Sequence, residues 1–360
     1  MKLFFDARFI RTDHHDGVSL YSASLAKAVH KRDKEAVFVI CHEKQKKLLP
    51  LGAKTVKINS PESIRELWSG RTIARYRPDV VFSPMQTLGR NKNYKLILTL
   101  QDMTYYKYNN PPKNHSVLVR IGWKMFYMTY APQRLVLNRA DIVSTVSETS
   151  RTEIIEAGLT KNEVIVATNA ARKLNSYHDE PEQGTKPPRN LVFIGTGQVH
   201  KNIEALIKGM EYLPGRRLHL MSPMSRQTKI YHDRIRPDGA EIIYHDGFDS
   251  KKEAEVLADD ALLVSASLAE GFGLPLVEAM EYGVPIVVSD MPIFREVAGE
   301  AAEYFDAKDP KAFAEAVKRL NSKKAREKKV LSGKKQAKLF SWDKSAGVLL
   351  AAARRLHGQR

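Results

Sequence analysis

The chain has 360 residues, 43% of them apolar, and 58 Lys and Arg against 41 Asp and Glu, a formal charge of +17 with histidine neutral. That length suggests about two domains and a core that needs no disulfide help; the single Cys41 excludes a disulfide scaffold and suits a reducing compartment. The many Val, Ile and Leu runs exclude a disordered tail, and the charge biases partners towards anions: nucleic acid, acidic lipid headgroups or phosphorylated substrates.

In the opening MKLFFDARF, Asp6 and Arg8 break the apolar stretch, so it is neither a signal peptide nor a membrane span, and no long uncharged apolar run follows. The expectation is a cytoplasmic protein that does not cross a membrane. LFFDARF (3–9) reads as a strand, followed by a loop rich in His, Asp and Gly (12–17) and a helical stretch from Ser19 to Arg32. AVFVICH (36–42), DVVFSP (79–84), KLILTLQD (95–102), DIVSTVSET (141–149) and VIVATN (164–169) read as further strands. Apolar strands separated by polar crossovers indicate a parallel sheet covered on both faces, an α/β layer pattern.

Residues 169–190 are polar, carry three prolines and offer little that could pack, so they read as the interdomain linker. The pattern then restarts with strands at NLVFIGTG (190–197), RLHLMSP (217–223), AEIIYHDG (240–247), DALLVSAS (260–267) and PIVVSD (285–290), and helices from about Asn202 and near Pro275. The basic helical segment 322–342 holds eight Lys and Arg, and Trp342 starts a last helix reaching Leu356. Two such parallel-sheet domains facing one another leave a cleft at the C-terminal ends of their strands, where open α/β folds bind ligands.

The stretch SASLAEGFGLPLVEAMEYGVPIVVSD (265–290) is the most informative. Gly271 and Gly273 let the backbone turn tightly, Pro275 suits the first turn of a helix, and free N–H groups there suit an anion or sugar oxygens. Glu270 and Glu278 flank this turn, and a carboxylate binds a vicinal diol well because each oxygen accepts a hydroxyl. Chemistry alone leaves a plainer alternative open: Glu278 stabilises the helix dipole and Glu270 is solvated.

Glu270-Gly-Phe-Gly-Leu-Pro-Leu-Val-Glu278, the following GVPIVVSD and residues 295–317 resemble the retaining GT-B glycosyltransferases, in particular the bacterial mannosyl- and glucosyltransferases of surface polysaccharide assembly, and the likeness extends over nearly the whole chain. The resemblance implies two Rossmann-like domains: an acceptor-side domain over 1–170, a nucleotide-sugar-binding domain over 171–340, and a C-terminal helix, 341–360, packing back on the first. It implies that Glu270 holds the donor sugar's hydroxyls and Glu278 the ribose, with Gly271, Phe272, Gly273 and Leu274 between them. It also matches Lys201-Asn202 in FIGTGQVHKNIEALI (193–207) to the family's phosphate lysine, so Lys201 would stabilise the departing diphosphate, beside Gly195 and Thr196.

The chain departs from that family at several positions. Relatives carry an arginine where Thr196 or His200 stands; His200 supplies charge only when protonated, and Arg172 is a candidate substitute. In LTLQDMTYY (98–106), Gln101 replaces the family's histidine and keeps hydrogen bonding without proton exchange, next to Asp102. Gly17, in DHHDGVSLYSASL (13–25), is placed to admit a diphosphate or acceptor near a helix start, with Ser19 where relatives show a second glycine. Ser147 resembles a residue lining the cleft and equally suits a helix N-cap. The candidate catalytic residues are therefore Lys201, Glu270, Gln101 and Asp102; no metal is expected, since His14 and His15 show no ligand spacing.

The resemblance implies same-face transfer of a hexose, with mannose preferred, from GDP-mannose or a UDP-hexose to a saccharide or lipid-linked saccharide, with no resident cofactor. Residues 115–136 mix Arg120, Lys124 and Arg134 with Trp123, Phe126, Tyr127 and Tyr130; they form either a helix resting on an anionic membrane face or an ordinary crossover helix with core aromatics. The first would place the protein at the inner face of the plasma membrane. Rival classes are a basic nucleic-acid-binding module using 323–338, which shows no specific nucleic-acid motif, and a sugar-nucleotide epimerase or phosphorylase on the same fold. The phosphorylase needs a pyridoxal-phosphate lysine and a longer chain.

Overall fold

A computed structural model describes residues 1–13, 16–88, 91, 93–109, 117–172, 174, 178–245 and 250–359. His14 and His15, the ends of the 115–136 and 240–247 readings, and part of 169–190 therefore lie outside the described residues. The chain divides into two compact units, Met1–Asn169 with Ser341–Arg360, and Ala170–Phe340.

The first unit begins with β1 (Leu3–Asp6), α1 (Gly17–Arg32), β2 (Val37–Ile40), β3 (Lys54–Lys57), α2 (Ser69–Ala74) and β4 (Val80–Ser83). It continues through β5 (Lys95–Thr99), α3 (Thr104–Lys107), α4 (Val117–Phe126), α5 (Ala131–Leu137), β6 (Ile142–Thr145), α6 (Glu148–Glu156) and β7 (Glu163–Val166). The strands form one parallel sheet in the order β3-β2-β1-β4-β5-β6-β7. Its middle is made of VFVI, LFFD, VVFS and LILT, almost wholly buried, because helices cover both faces.

The second unit runs β8 (Asn190–Ile194), α7 (Ile203–Gly209), β9 (Arg217–Met221), α8 (Arg226–Ile235), β10 (Glu241–His245), α9 (Ser250–Ala258) and β11 (Ala261–Ser265). It ends with α10 (Leu274–Tyr282), β12 (Ile286–Ser289), α11 (Pro292–Ala298), β13 (Ala302–Phe305), α12 (Pro310–Arg319) and α13 (Lys323–Ala337). Its parallel sheet has the order β10-β9-β8-β11-β12-β13, with the reversal of direction at β8 and β11, the strands whose loops carry the glycine motifs. The last helix, α14 (Trp342–Gly358), belongs to the first unit, where Arg32 grips Asp343 and Tyr21 meets Trp342 edge-on at 5.9 Å.

Several local differences from the sequence reading have physical causes. Strands β3 (KTVK) and β13 (AEYF) sit at sheet edges, where polar residues face water and no apolar run marks them. Residues 115–136 are not one helix: α4 and α5 are separate, and Trp123 and Tyr127 pack with Tyr105 at 5.0 and 5.6 Å, while Tyr106 stacks on Tyr130 at 4.8 Å. The exposed apolar and aromatic residues there include Ile121, Met125, Met128, Tyr130 and Leu135.

The 169–190 segment packs more than its composition suggests, since Ala170 and Leu174 are buried. The basic helix α13 is partly structural: Arg326 is fully buried and donates to the carbonyls of Leu320, Asn321, Gly184 and Lys186, and Lys329 pairs with Glu303. That leaves less of the cluster for a phosphate backbone.

Candidate active site

In the second unit, the loop after β8 and the loop after β11 are tied together by Leu268 N–H donating to the His200 carbonyl at 2.7 Å. Lys201 closes a short 3-10 turn, and Asn202 follows in the left-handed region at φ +51°, its amide donating to the Ala307 carbonyl at 2.8 Å. This aims Lys201 Nζ at Glu270 Oε1, 2.6 Å away. The same oxygen accepts from Ser267 Oγ at 2.8 Å, and the Ser267 carbonyl is itself held by Ser289 at 2.6 Å. Among the described residues nothing is bonded to Glu270 Oε2. The pair is 17% and 16% exposed at its side chains, open enough to meet a ligand.

Gly273 turns the chain from this loop into α10 with φ +89°, and a Cβ there would lie 2.9 Å from the Phe294 ring, so both conformation and space require glycine. Gly195 is similarly crowded, a Cβ meeting the Phe193 ring at 3.0 Å. Thr196 is exposed and Leu274 half-buried. Phe272, by contrast, is buried edge-on against Phe340 at 5.3 Å, so its backbone and not its ring is what a ligand could meet.

Glu278, one turn into α10, has its side chain only 2% exposed and is gripped by a guanidinium. Arg172 Nε donates to Oε1 at 2.5 Å and Nη2 to Oε2 at 2.9 Å. The same fork reaches Glu253 Oε2 on α9 at 2.9 Å and Ser250 Oγ at 2.8 Å. Burial works against its charge, but the hydrogen bonds and the fields of Glu278 and Glu253 outweigh that and raise its pKa.

The two candidates for the missing cation are thereby corrected. Arg172 serves Glu278 and Glu253. His200 is buried, and burial followed by the neighbouring Lys201 pushes it down to about 4, so it carries no charge near neutral pH.

The first unit holds the other predicted residues. Gly17 opens α1 behind Asp16, whose carboxylate caps Ser19 N–H at 2.8 Å; Ser19 is buried and its hydroxyl accepts from Arg11 N–H at 2.8 Å. Gln101, just past β5, donates to the Pro84 carbonyl at 3.1 Å, and its own carbonyl accepts from Thr145 at 3.1 Å. Asp102 accepts from Thr104 N–H at 2.8 Å. Ser147 caps α6 through Ser150 N–H at 3.0 Å. No group of three His, Cys, Asp or Glu among the described residues is placed to hold a metal.

Sequence reasoning missed Ser267, Glu253 and the partnership of Arg172 with Glu278. Ser267 had a signal, standing three residues before Glu270 at a strand end; Glu253 in SKKEAEVLA reads as one more solvated helix charge.

Two parallel-sheet units, the second carrying glycine turns, a lysine and two glutamates at its strand ends, make this a doubly wound α/β protein. Residues 175–337, nearly all of the second unit, match the family model described as "Glycosyl transferases group 1", and that unit belongs to this family. The chain is 29% identical over 223 residues to "O-antigen chain mannosyltransferase B" of Escherichia coli, covering 58% of each. The chain thus spans little more than half of that relative, and only 8% of a serotype-specific mannosyltransferase of Escherichia coli matched over 64 residues.

Among solved structures it is similar to a sucrose-phosphate synthase from Thermosynechococcus elongatus, with TM-score 0.75, 15% identity and full coverage of both chains. It is also similar to Anabaena HepE in complex with UDP and glucose, with TM-score 0.68, 16% identity and coverage of 99% and 100%. These likenesses establish the GT-B fold, two Rossmann-like units, for the chain. No helix among the described residues is long and apolar enough to cross a membrane.

Proposed function

We propose that this group 1 glycosyltransferase moves a hexose, with mannose preferred, from a nucleoside-diphosphate sugar to a saccharide or lipid-linked saccharide, retaining the anomeric configuration. The observation that carries the reading is the Lys201–Glu270 pair beside the Gly271–Gly273 turn. In this scheme the sugar's C1–O bond to the diphosphate breaks, and the acceptor oxygen bonds to C1 from the same face. The departing phosphate oxygen takes the acceptor's proton. Lys201 neutralises the charge that grows on that phosphate, Glu270 accepts from sugar hydroxyls through its open oxygen, and Glu278 accepts from the ribose diol. Gln101 and Asp102 belong to the acceptor side, where Gln101 positions by hydrogen bonding.

The preference for mannose draws on the likeness to an O-antigen mannosyltransferase, and the UDP and glucose bound to HepE keep a uridine donor in the test. Exposed Ile121, Met125 and Met128 beside Arg120 and Lys124 support a lipid-linked acceptor met at an anionic membrane face. Thermal-shift binding with GDP, UDP, GDP-mannose, UDP-glucose and UDP-N-acetylglucosamine tests the donor site, since a ligand that binds only the folded state raises Tm. A shift with one nucleotide family, cut by Lys201→Ala, is expected. A folded protein unmoved by every member overturns the reading, and turnover of the donor without any acceptor would indicate an epimerase instead.

A further inference from the structure

We propose that Arg172 is the positioning residue for the nucleoside half of the donor, its planar fork holding the Glu278 carboxylate so that its remaining lone pairs face the ribose diol. This rests on the reading of Glu278 as the ribose ligand. A carboxylate offers about four lone-pair sites. Arg172 side-chain nitrogens take one on each oxygen, at 2.5 and 2.9 Å, and its backbone N–H reaches Oε1 at 3.4 Å, which fixes the plane of the group and leaves Oε2 a further site for a hydroxyl.

The fork is well placed for this task. Arg172 is the third residue of the second unit, yet it binds Glu253 on α9 and Glu278 on α10, two carboxylates each 2% exposed that would repel one another without a cation between them. Its third arm, Nη1, reaches Ser250 at the start of α9. A lysine would keep the charge but lose the plane, because an ammonium is a point charge and cannot span both oxygens of one group and a second carboxylate.

The test uses the full chain and measures the affinity of UDP, GDP and inorganic pyrophosphate for wild type, Arg172→Lys, Glu278→Gln and the double variant. Arg172→Lys is expected to weaken the preferred nucleoside diphosphate about tenfold, the loss that goes with one charged hydrogen-bonded contact. Pyrophosphate, which has no ribose, should bind as before, and donor KM should rise with kcat unchanged. The double variant should bind no more weakly than Glu278→Gln alone, since one residue acts through the other.

A folded Arg172→Lys that binds as tightly as wild type or tighter, or losses that add, would overturn the proposal. If Arg172→Lys does not fold, Arg172→Gln with Glu253→Gln, which removes one buried charge of each sign, carries the same expectation. Failure of both to fold makes the fork purely structural and overturns the proposal too. Wild type that binds neither nucleoside diphosphate refutes the donor reading itself, a result distinct from either.

Discussion

Each unit sets an arginine fork between two carboxylates, and the two forks are finished differently. In the first unit Arg8 donates to Asp6 at 2.8 and 3.0 Å, to Glu66 at 2.6 and 3.0 Å and to the Asn59 carbonyl at 3.0 Å, with its side chain and that of Asp6 fully buried. In the second, Arg172 is 27% exposed, and the carboxylate it orients sits on the helix that follows the glycine turn. The guanidinium of the first is sealed from solvent and its work is done on folding; that of the second is partly open and lies beside a turn that needs glycine. On the proposed reading, the same side-chain chemistry serves structure in the first unit and donor binding in the second.

The largest effect is expected at the sealed fork. Arg8→Leu leaves Asp6 and Glu66 facing each other without their cation, and breaking a buried pair in this way costs about 3–5 kcal/mol. Chemical denaturation should show that loss, while nucleotide affinity of the protein still folded stays at the wild-type value. Lost affinity in folded protein would break the contrast, since it would give the first unit's fork a part in donor binding.

Lys201→Ala is the reverse case. Its ion pair with Glu270 is partly exposed, so stability should fall by only about 1 kcal/mol. Transfer should fall about 10²–10³-fold, because the charge that meets the departing phosphate is gone. Glu270→Gln keeps the geometry but weakens the grip on the sugar, and should fall between this variant and wild type. A Lys201→Ala enzyme that keeps its rate would return Lys201 to the ordinary surface lysines.

How far these features can be seen in the linear chain depends on the distance over which each is built. The buried strands are legible because helices on both faces make them continuous runs, as in VFVI and IVVS. Glu270 and Glu278 are legible because one loop and one helix turn carry both, with the glycines that the geometry demands. The Arg172 fork is not, since its partners stand 81 and 106 residues away. Nothing in a polar, proline-rich stretch marks one arginine as the clamp on two distant carboxylates. The break between α4 and α5 was hidden for a related reason: the aromatics that suggest a single amphipathic face are packed on Tyr105 and Tyr106 of another helix.

A smaller effect should follow acidity. Burial, reinforced by Lys201 for His200 and by His245 and Arg217 for His219, pushes both imidazoles down to about 4. An unfolded histidine titrates near about 6.5, so between these values the unfolded chain binds protons that the folded one refuses, and stability is lost as pH falls through that window. Both residues lie in the second unit. A calorimetric trace at pH 7.5 and at pH about 4.5 should show the second unit's transition moving further than the first's, and His219→Asn should reduce the difference.

The smallest effect is expected where the chain departs from its family. Gln101 is held by its neighbours rather than by a distant charge: its side-chain Nε2 donates to the Pro84 carbonyl, while its backbone carbonyl accepts from Thr145. Its side chain therefore already has the fixed orientation that a positioning role requires, and restoring the histidine changes the donor atom without changing the scaffold. Gln101→His should leave kcat/KM within about threefold of wild type, a difference below 1 kcal/mol. A gain of a hundredfold, or a rate that newly tracks the titration of an imidazole near neutral pH, would show that proton movement at this position matters. The first unit would then hold a residue as demanding in its charge as Lys201 is on the proposed reading, and the contrast between the two units would no longer hold.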